Sequence, residues 1–478
     1  MVVPSLQFLL FAAVAACLFN VWNNSIWRAV VLLGANLAFL ATFVRHPAEL
    51  IPYAGFLAGG YLLIAWLQRG APRLVSPIAI GLVLAAFFWL KKYTFLPSAL
   101  FLTYPYLVVG LSYVFFRVLH LVIDSRDEAV VGRVGPLSYL NYTLNFTSLV
   151  SGPIQRYDDY RRQTERAPAP LDLIAMGEAL QRIIVGLFKV VVISFALSIW
   201  QKQLLTQLLS EPGLAERIRD GALLAALYPV YLFFNFSGYT DFVIGVARFF
   251  RLRLPENFDR PFSSTSFIEY WSRWHMTLSD WLKTYVYNPL VMVLMRRVKS
   301  PSLSPYIGVL GLFVTFFLIG AWHGRTSVFL FFGVLNGLGV AVNQFYRVYV
   351  GKRMGKKAFA ALGRNPWYRA FSRGLTFTWL AFTLLWFWSD WGELGRITGA
   401  LGPPGVAAGW LAIFLGATAL LAAMEAARER VLSVKAGGRP LVFSRYVRTV
   451  WLTILVLAIM GVQTVMNAPA PDIVYKAF

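Results

Sequence analysis

Acidic residues and cysteine are what this 478-residue chain is short of. Its single cysteine, Cys17, excludes an internal disulfide and any metal site built from paired thiols. Cys17 falls in the first apolar run, where a buried, inert thiol is expected. Charged residues make up only 14% of the chain against 58% hydrophobic, a balance outside the range of soluble globular proteins. Acids number 22 against 44 Lys and Arg, for a net charge of +22. An excess of this size can mark a nucleic-acid binder, but here the bases gather in short loops between apolar runs. The preference of cytoplasmic loops for Lys and Arg explains that pattern, so nucleic acid is not expected as a partner. A Gly-x-Ser-x-Gly elbow, a Walker loop and a zinc-binding helix are missing too, so neither a serine nucleophile nor a metal is expected. The N-terminus, Met-Val-Val-Pro-Ser, lacks the positive region of a cleaved signal, and Leu6 to Val21 is expected to remain as a first span.

What is present is a series of apolar runs near 5–22, 26–44, 51–67, 75–90, 100–123, 183–200, 222–250, 304–320, 327–345, 374–388, 405–425 and 449–466. At about 20 residues per crossing they predict an all-α polytopic membrane protein with about eleven or twelve transmembrane helices, plus short amphipathic or re-entrant helices around a central cavity. No long linker or internal repeat divides the chain, which predicts one membrane domain: N-terminal helices over 1–125, a core over 126–345, and a basic loop with C-terminal helices over 346–478. Orientation follows from the loops. The segment 346–373 holds eight bases and no acid, which places it in the cytoplasm. Counting outward, 291–303, 154–170 and 426–448 are cytoplasmic, and loops 202–220 and 389–404 face the exterior.

The most informative stretch runs from Pro255 to Gly324 and contains two of the four histidines. Phe267, Trp271, Trp274, Leu278, Trp281 and Tyr285 recur in steps of three and four and predict one helix face. Glu269, Arg273, Thr277, Asp280 and Lys283 lie opposite. This reads as a single amphipathic helix on a membrane surface or plugging a membrane cavity. His275 falls on the cytoplasmic side. His323 is expected in the turn between 304–320 and 327–345, and a helix of that length rises only about 25 Å, leaving the turn within the membrane's depth.

An intramembrane titratable side chain is a functional candidate by default, because leaving it unsatisfied costs free energy. Gly324 permits close backbone approach to a substrate, and Trp322 can wall the site against water. Acyl transfer from a thioester to a hydroxyl needs a base near neutrality, which a histidine supplies. The alternative, a histidine hydrogen-bonded to a neighbouring helix carbonyl, stays open on residue physics alone.

Asn235-Phe-Ser-Gly-Tyr-Thr-Asp241, Pro255-Glu-Asn-Phe, Tyr270-Trp-Ser-Arg-Trp-His-Met-Thr-Leu-Ser-Asp-Trp-Leu282 and Trp322-His-Gly324, with the earlier Ser151-Gly-Pro-Ile-Gln-Arg156, come in a set order. As a set they resemble the membrane-bound O-acyltransferase family, in particular its bacterial branch that acylates extracellular polymers. The likeness spans about Gly110 to Gly339. It implies that His323 matches the family's invariant active-site histidine and His275 its second histidine position. It also makes Asn257, Arg273, Trp274, Trp322 and Asp241 candidates for lining or gating the donor path, with a surface ion pair an equal reading for Arg273. After Trp281 the branch that acetylates alginate usually reads Leu-Arg-Asp-Tyr-Leu-Tyr-Ile-Pro-Leu-Gly-Gly. Here Thr284 replaces the acid and Val291-Met292 the glycine pair, which argues against alginate itself as acceptor.

Two short patterns imitate other motifs, that of soluble acyltransferases at His120 and that of glycerolipid acyltransferases at His275. His120-x-x-x-Asp124 ends an apolar run and reads as a polar helix end. His275 and Asp280 would lie about 140° apart on one continuous helix, too far round for the acid to orient the ring. The reading that results is an O-acyltransferase of the inner (plasma) membrane. It passes an acyl group, expected to be acetyl from acetyl-CoA or another acyl thioester, with no bound cofactor, to a hydroxyl of an extracytoplasmic polysaccharide or of a partner acetyltransferase. D-alanylation of teichoic acid from a carrier protein is the runner-up, and a lipid acyltransferase the third. A transporter or flippase without chemistry is the rival from another class, but the inverted repeats such folds show are missing.

Overall fold

The computed structural model describes residues 1–466 apart from 95, 127–131, 167–169, 212, 437–438 and 441–443. Parts of the predicted loops 154–170 and 426–448 therefore lie outside the described residues. Among the described residues helices make up nearly all of the regular structure, beside a two-residue ladder, Lys435–Ala436 against Arg439–Pro440. The protein is an all-α polytopic membrane protein. Seven helices among the described residues are long and apolar enough to cross a bilayer: Pro47–Gln68, Leu173–Ser210, Leu214–Phe249, Ser304–His323, Ser327–Met354, Trp391–Ser433 and Arg445–Val465. Leu6–Val21, Ser25–Ala41 and Val75–Leu90 are equally apolar but shorter, rising only about 24–26 Å.

Of the twelve apolar runs, seven therefore form helices of spanning length among the described residues and three form shorter ones. The run 100–123 forms a helix only over Leu111–Asp124, because Pro105 and the left-handed Gly110 keep the preceding residues extended or turned. The run 374–388 belongs to Pro366–Trp388, whose first turns carry Arg369 and Arg373 and which falls outside the seven. Two predicted exterior loops are largely helical: 202–220 holds the end of one long helix and the start of the next, and 389–404 is mostly the first leg of Trp391–Ser433. That helix is broken at Gly402, where φ is +63°, and resumes with Pro403 and Pro404, since proline fits the first turn of a helix but not its interior. Cys17 is exposed, not buried: it lies on the outward face of its helix.

The chain divides into two compact units, residues 1–190 with 236–255, and 191–235 with 256–466. In the first, Leu111–Asp124 is the central helix, with every residue from Leu111 to Val122 buried. At its middle the fully enclosed Arg117 donates to the carbonyls of Tyr142, Thr143 and Ser148 and to Ser148 Oγ. These bonds hold the non-helical segment 144–156, which Asn36 also pins by accepting from Phe146 N at 2.9 Å. Irregular backbone at membrane depth survives only when buried and satisfied in this way. The Ser151–Arg156 motif sits in this segment, and Ser151 N donates to Tyr239 Oη at 3.3 Å.

In the second unit the helices Ser304–His323 and Ser327–Met354 pack along a glycine seam. A Cβ on Gly320 would lie 2.3 Å from Gly333 Cα, and one on Gly337 2.8 Å from the Phe313 carbonyl oxygen. Small residues at such a seam let two helix backbones approach directly, which is how membrane helices associate without a hydrophobic driving force.

Candidate functional site

The stretch expected to form one amphipathic helix is two short helices, Phe267–Trp271 and Met276–Leu282, separated by a break at 272–275. Ser272 ends the first by turning its hydroxyl onto the Glu269 carbonyl at 2.7 Å. His275 begins the second in the left-handed conformation, φ +44° and ψ +51°, a region histidine enters more readily than most residues but at a conformational cost. The periodicity survives as burial: Phe267, Trp271, Trp274, Leu278 and Trp281 are all buried. It cannot survive as a single helix, because a second set of bonds competes for the backbone at 273–277.

Those bonds come from the Pro255-Glu-Asn-Phe motif. Phe258 pairs with Trp274 in an antiparallel bridge; Asp259 N donates to the Arg273 carbonyl and Met276 N to the Asn257 carbonyl, each at 3.0 Å. The Asn257 side chain completes the clasp, its Oδ1 accepting from Thr277 N at 3.2 Å and Thr277 Oγ1 at 2.7 Å. Its Nδ2 is buried and bonded to nothing among the described residues, which leaves a donor for a bound group. His275 is thus held from both sides at 1% exposure, and burial depresses its imidazole pKa to about 3, opposed in part by its own backbone hydrogen bond. Because His275 precedes the helix, the angle separating it from Asp280 on a continuous helix no longer applies.

Trp274 stacks on Tyr270 at 5.6 Å and meets Phe258 edge-on at 5.0 Å, so it is a core aromatic behind the clasp. Arg273 pairs with Glu269 at 3.0 Å and Asp259 at 3.5 Å, the surface ion-pair arrangement. Asp241 lies in the first unit, where its two oxygens take Arg182 at 3.0 Å and Lys189 at 2.6 Å. There it locks the Leu173–Phe188 helix to Leu214–Phe249 beside the close crossing of Gly186 and Gly238.

His323 is the last residue of the Ser304–His323 helix, not part of the following turn. Twenty residues rise about 30 Å, longer than the roughly 25 Å of the 17-residue run alone. The ring is 1% exposed and walled by Trp322 at 4.6 Å, Phe387 at 5.1 Å and Phe332 at 6.0 Å. Gly324 follows because a side chain there would strike the Phe329 ring. The two motif histidines are therefore enclosed in different ways, one by a backbone clasp and one by an aromatic box at a helix end.

A comparison with family models matches residues 78–362 to the membrane-bound O-acyltransferase family, a span holding both histidines and every other candidate. The chain belongs to the membrane-bound O-acyltransferase family. It is an enzyme, an O-acyltransferase. Among curated relatives, the teichoic acid D-alanyltransferase of Streptococcus thermophilus is 30% identical over 286 residues, covering 58% of this chain and 68% of the relative. That of Bacillus subtilis is 27% identical over 278 residues, covering 57% and 67%. The probable alginate O-acetylase AlgI of Pseudomonas fluorescens is 29% identical over 243 residues, covering 51% of this chain and 46% of the relative.

Several residues that shape this acyltransferase carry no local signal. Phe387 lies outside the matched segment, and Arg117 reads in sequence as an ordinary charge in an apolar run. The His120 pattern is settled by its bonds: Tyr157 N donates to Nε2 and Nδ1 faces the Phe116 carbonyl, each at 3.3 Å. The ring is therefore a neutral structural histidine, the polar helix end expected for it. At the departure from the alginate pattern, Thr284 caps back onto the Asp280 carbonyl and Val291 packs on Gly311.

Proposed function

We propose that this acyltransferase moves an acetyl group from a cytoplasmic acyl thioester, acetyl-CoA in the first instance, to a hydroxyl of an extracytoplasmic polysaccharide or of a partner that carries it. It does so in the inner (plasma) membrane. His323 is the general base. As the acceptor oxygen attacks the thioester carbonyl, the Nε2 or Nδ1 lone pair takes the hydroxyl proton; the thiolate leaves and recovers that proton. The observation that carries this reading is the enclosure of His323 by Trp322, Phe332 and Phe387 at the end of a spanning helix, which excludes the water that would hydrolyse the thioester. His275, assigned to the cytoplasmic side, positions the donor.

D-alanyl transfer from a carrier protein is the second reading. It is favoured by the two D-alanyltransferase relatives, matched over 68% and 67% of their length against 46% for the alginate O-acetylase. Purified protein offered labelled acetyl-CoA or a labelled D-alanyl carrier protein, with polysaccharide and teichoic acid acceptors, separates the two. His323→Gln lowers transfer about 10²- to 10⁴-fold, the usual contribution of a positioned base, while the protein still inserts and binds donor. Near wild-type transfer by that variant returns His323 to a structural role.

A further inference from the structure

Within the first unit a cavity of about 490 Å³ opens between the first turn of Ser25–Ala41, residues 133–138, residues 160–165 and Arg251. No candidate acyl-transfer residue lines it. Arg28, Arg133 and Arg251 are among the residues that do. Arg28 is 8% exposed, and its Nε and Nη2 are buried with no hydrogen-bond partner among the described residues. Its guanidinium carbon lies 5.6 Å from the centre of the Phe19 ring. Among the described residues the acid in the lining is Glu165, which is already paired with Arg161 at 2.7 Å. Arg251 is held in place by Nε donating to Asn20 Oδ1 at 3.0 Å, and Asn20 in turn donates to the Phe249 carbonyl. A buried, unsatisfied guanidinium is costly, and clustered cations repel one another; both costs are reduced by an anion with several acceptor oxygens.

We infer that this pocket binds a phosphate group through Arg28, Arg133 and Arg251. The planar fork of arginine matches phosphate oxygens bidentately, and three forks suit a tetrahedral anion better than a lone carboxylate. Ile26 lines the same cavity while 69% exposed, and Val30, one turn along, is 53% exposed. The outward flank of the pocket is thus the lipid-facing flank of the helix, and Trp22 and Trp27 stand at the same helix ends, 4.7 Å apart, where tryptophan marks the headgroup level. An anionic phospholipid headgroup reaches the arginines from that flank; a soluble phosphate compound carries the same chemistry from the aqueous side.

The test is native mass spectrometry of the purified full chain, titrated with phosphatidylglycerol or phosphatidylcholine, alongside thermal unfolding in inorganic phosphate or coenzyme A. Wild type retains phosphatidylglycerol over phosphatidylcholine, Arg28→Gln and Arg133→Gln each weaken retention by roughly tenfold or more, the worth of one charge-assisted hydrogen bond, and Arg28→Lys weakens it less. Arg133 is exposed, so its variant reports even where Arg28→Gln misfolds. Stabilisation by inorganic phosphate or coenzyme A, lost in the same variants, supports the phosphate site with a soluble source. Equal retention of the two lipids and no response to either soluble phosphate, unchanged in Arg133→Gln, overturns the inference.

Discussion

Gly320→Ala tests whether His323 depends on the glycine seam for its position. The new Cβ would lie 2.3 Å from Gly333 Cα, 2.4 Å from Gly333 N and 2.5 Å from the Phe329 carbonyl oxygen. All three are backbone atoms, so no side-chain rotation relieves the overlap. Ordinary contact begins near 3.5 Å, so the two helices must part by at least about 1 Å at this level. His323 is three residues further along the same helix and moves with it, while Phe387, on Pro366–Trp388, does not have to follow. A displacement of about 1 Å at a reacting group is worth up to about 10²-fold in rate. The expected result is therefore a loss of acyl transfer on the order of 10²-fold with membrane insertion retained. The assay is transfer of labelled acetyl or D-alanyl groups by purified protein, with insertion followed by fluorescence of a C-terminal fusion. Gly308→Ala in the same helix is the control, since its Cβ would meet only the hydroxyl tip of Tyr287 at 3.1 Å. Full activity in Gly320→Ala would refute the link between the seam and catalysis; equal loss in both variants would point to general destabilisation of the helix.

Other perturbations address the clasp, the first unit and the orientation. Asn257→Ala removes two hydrogen bonds to Thr277 and lowers stability by about 1–3 kcal/mol, read as a fall in the thermal midpoint; an unchanged midpoint would show that the clasp stands without its side chain. His275→Ala weakens transfer but leaves some of it, and complete loss in a folded variant would move His275 into the proton-transfer role. Because burial keeps His275 unprotonated to about pH 3 while the unfolded chain takes up the proton near 6.5, the unfolded state binds more protons between those values. Stability contributed there rises with pH and is lost on acidification, so His275→Gln should flatten the pH dependence of the thermal midpoint between pH 4 and 6.5. Arg117→Met removes four hydrogen bonds donated into a buried core, a cost of about 3 kcal/mol or more, and should abolish accumulation of folded protein in the membrane. A tag at Lys356, in the exposed helix Lys356–Leu362, should be shielded from external reagents in intact cells; labelling from outside would invert the topology.

Much of this protein was legible in its residues. Composition alone placed it in a membrane, and the apolar runs located ten of its apolar helices because helix hydropathy is a local property. The ordered motifs indicated the family, and the steps of three and four from Phe267 to Trp281 named the residues that are buried. What periodicity could not contain was competition between distant segments. The break at His275 exists because Asn257, eighteen residues earlier in the chain, offers the backbone at 276–277 a different set of partners. Asp241, a motif residue in sequence, is tied by a helix fifty to sixty residues away, and the Arg28 pocket joins segments from both ends of the first 251 residues. Such bonds are long-range and satisfy buried polar groups one by one, and a polar residue's own sequence neighbours do not reveal which distant carbonyl or carboxylate will meet it. Only the packed tertiary structure decided those pairings.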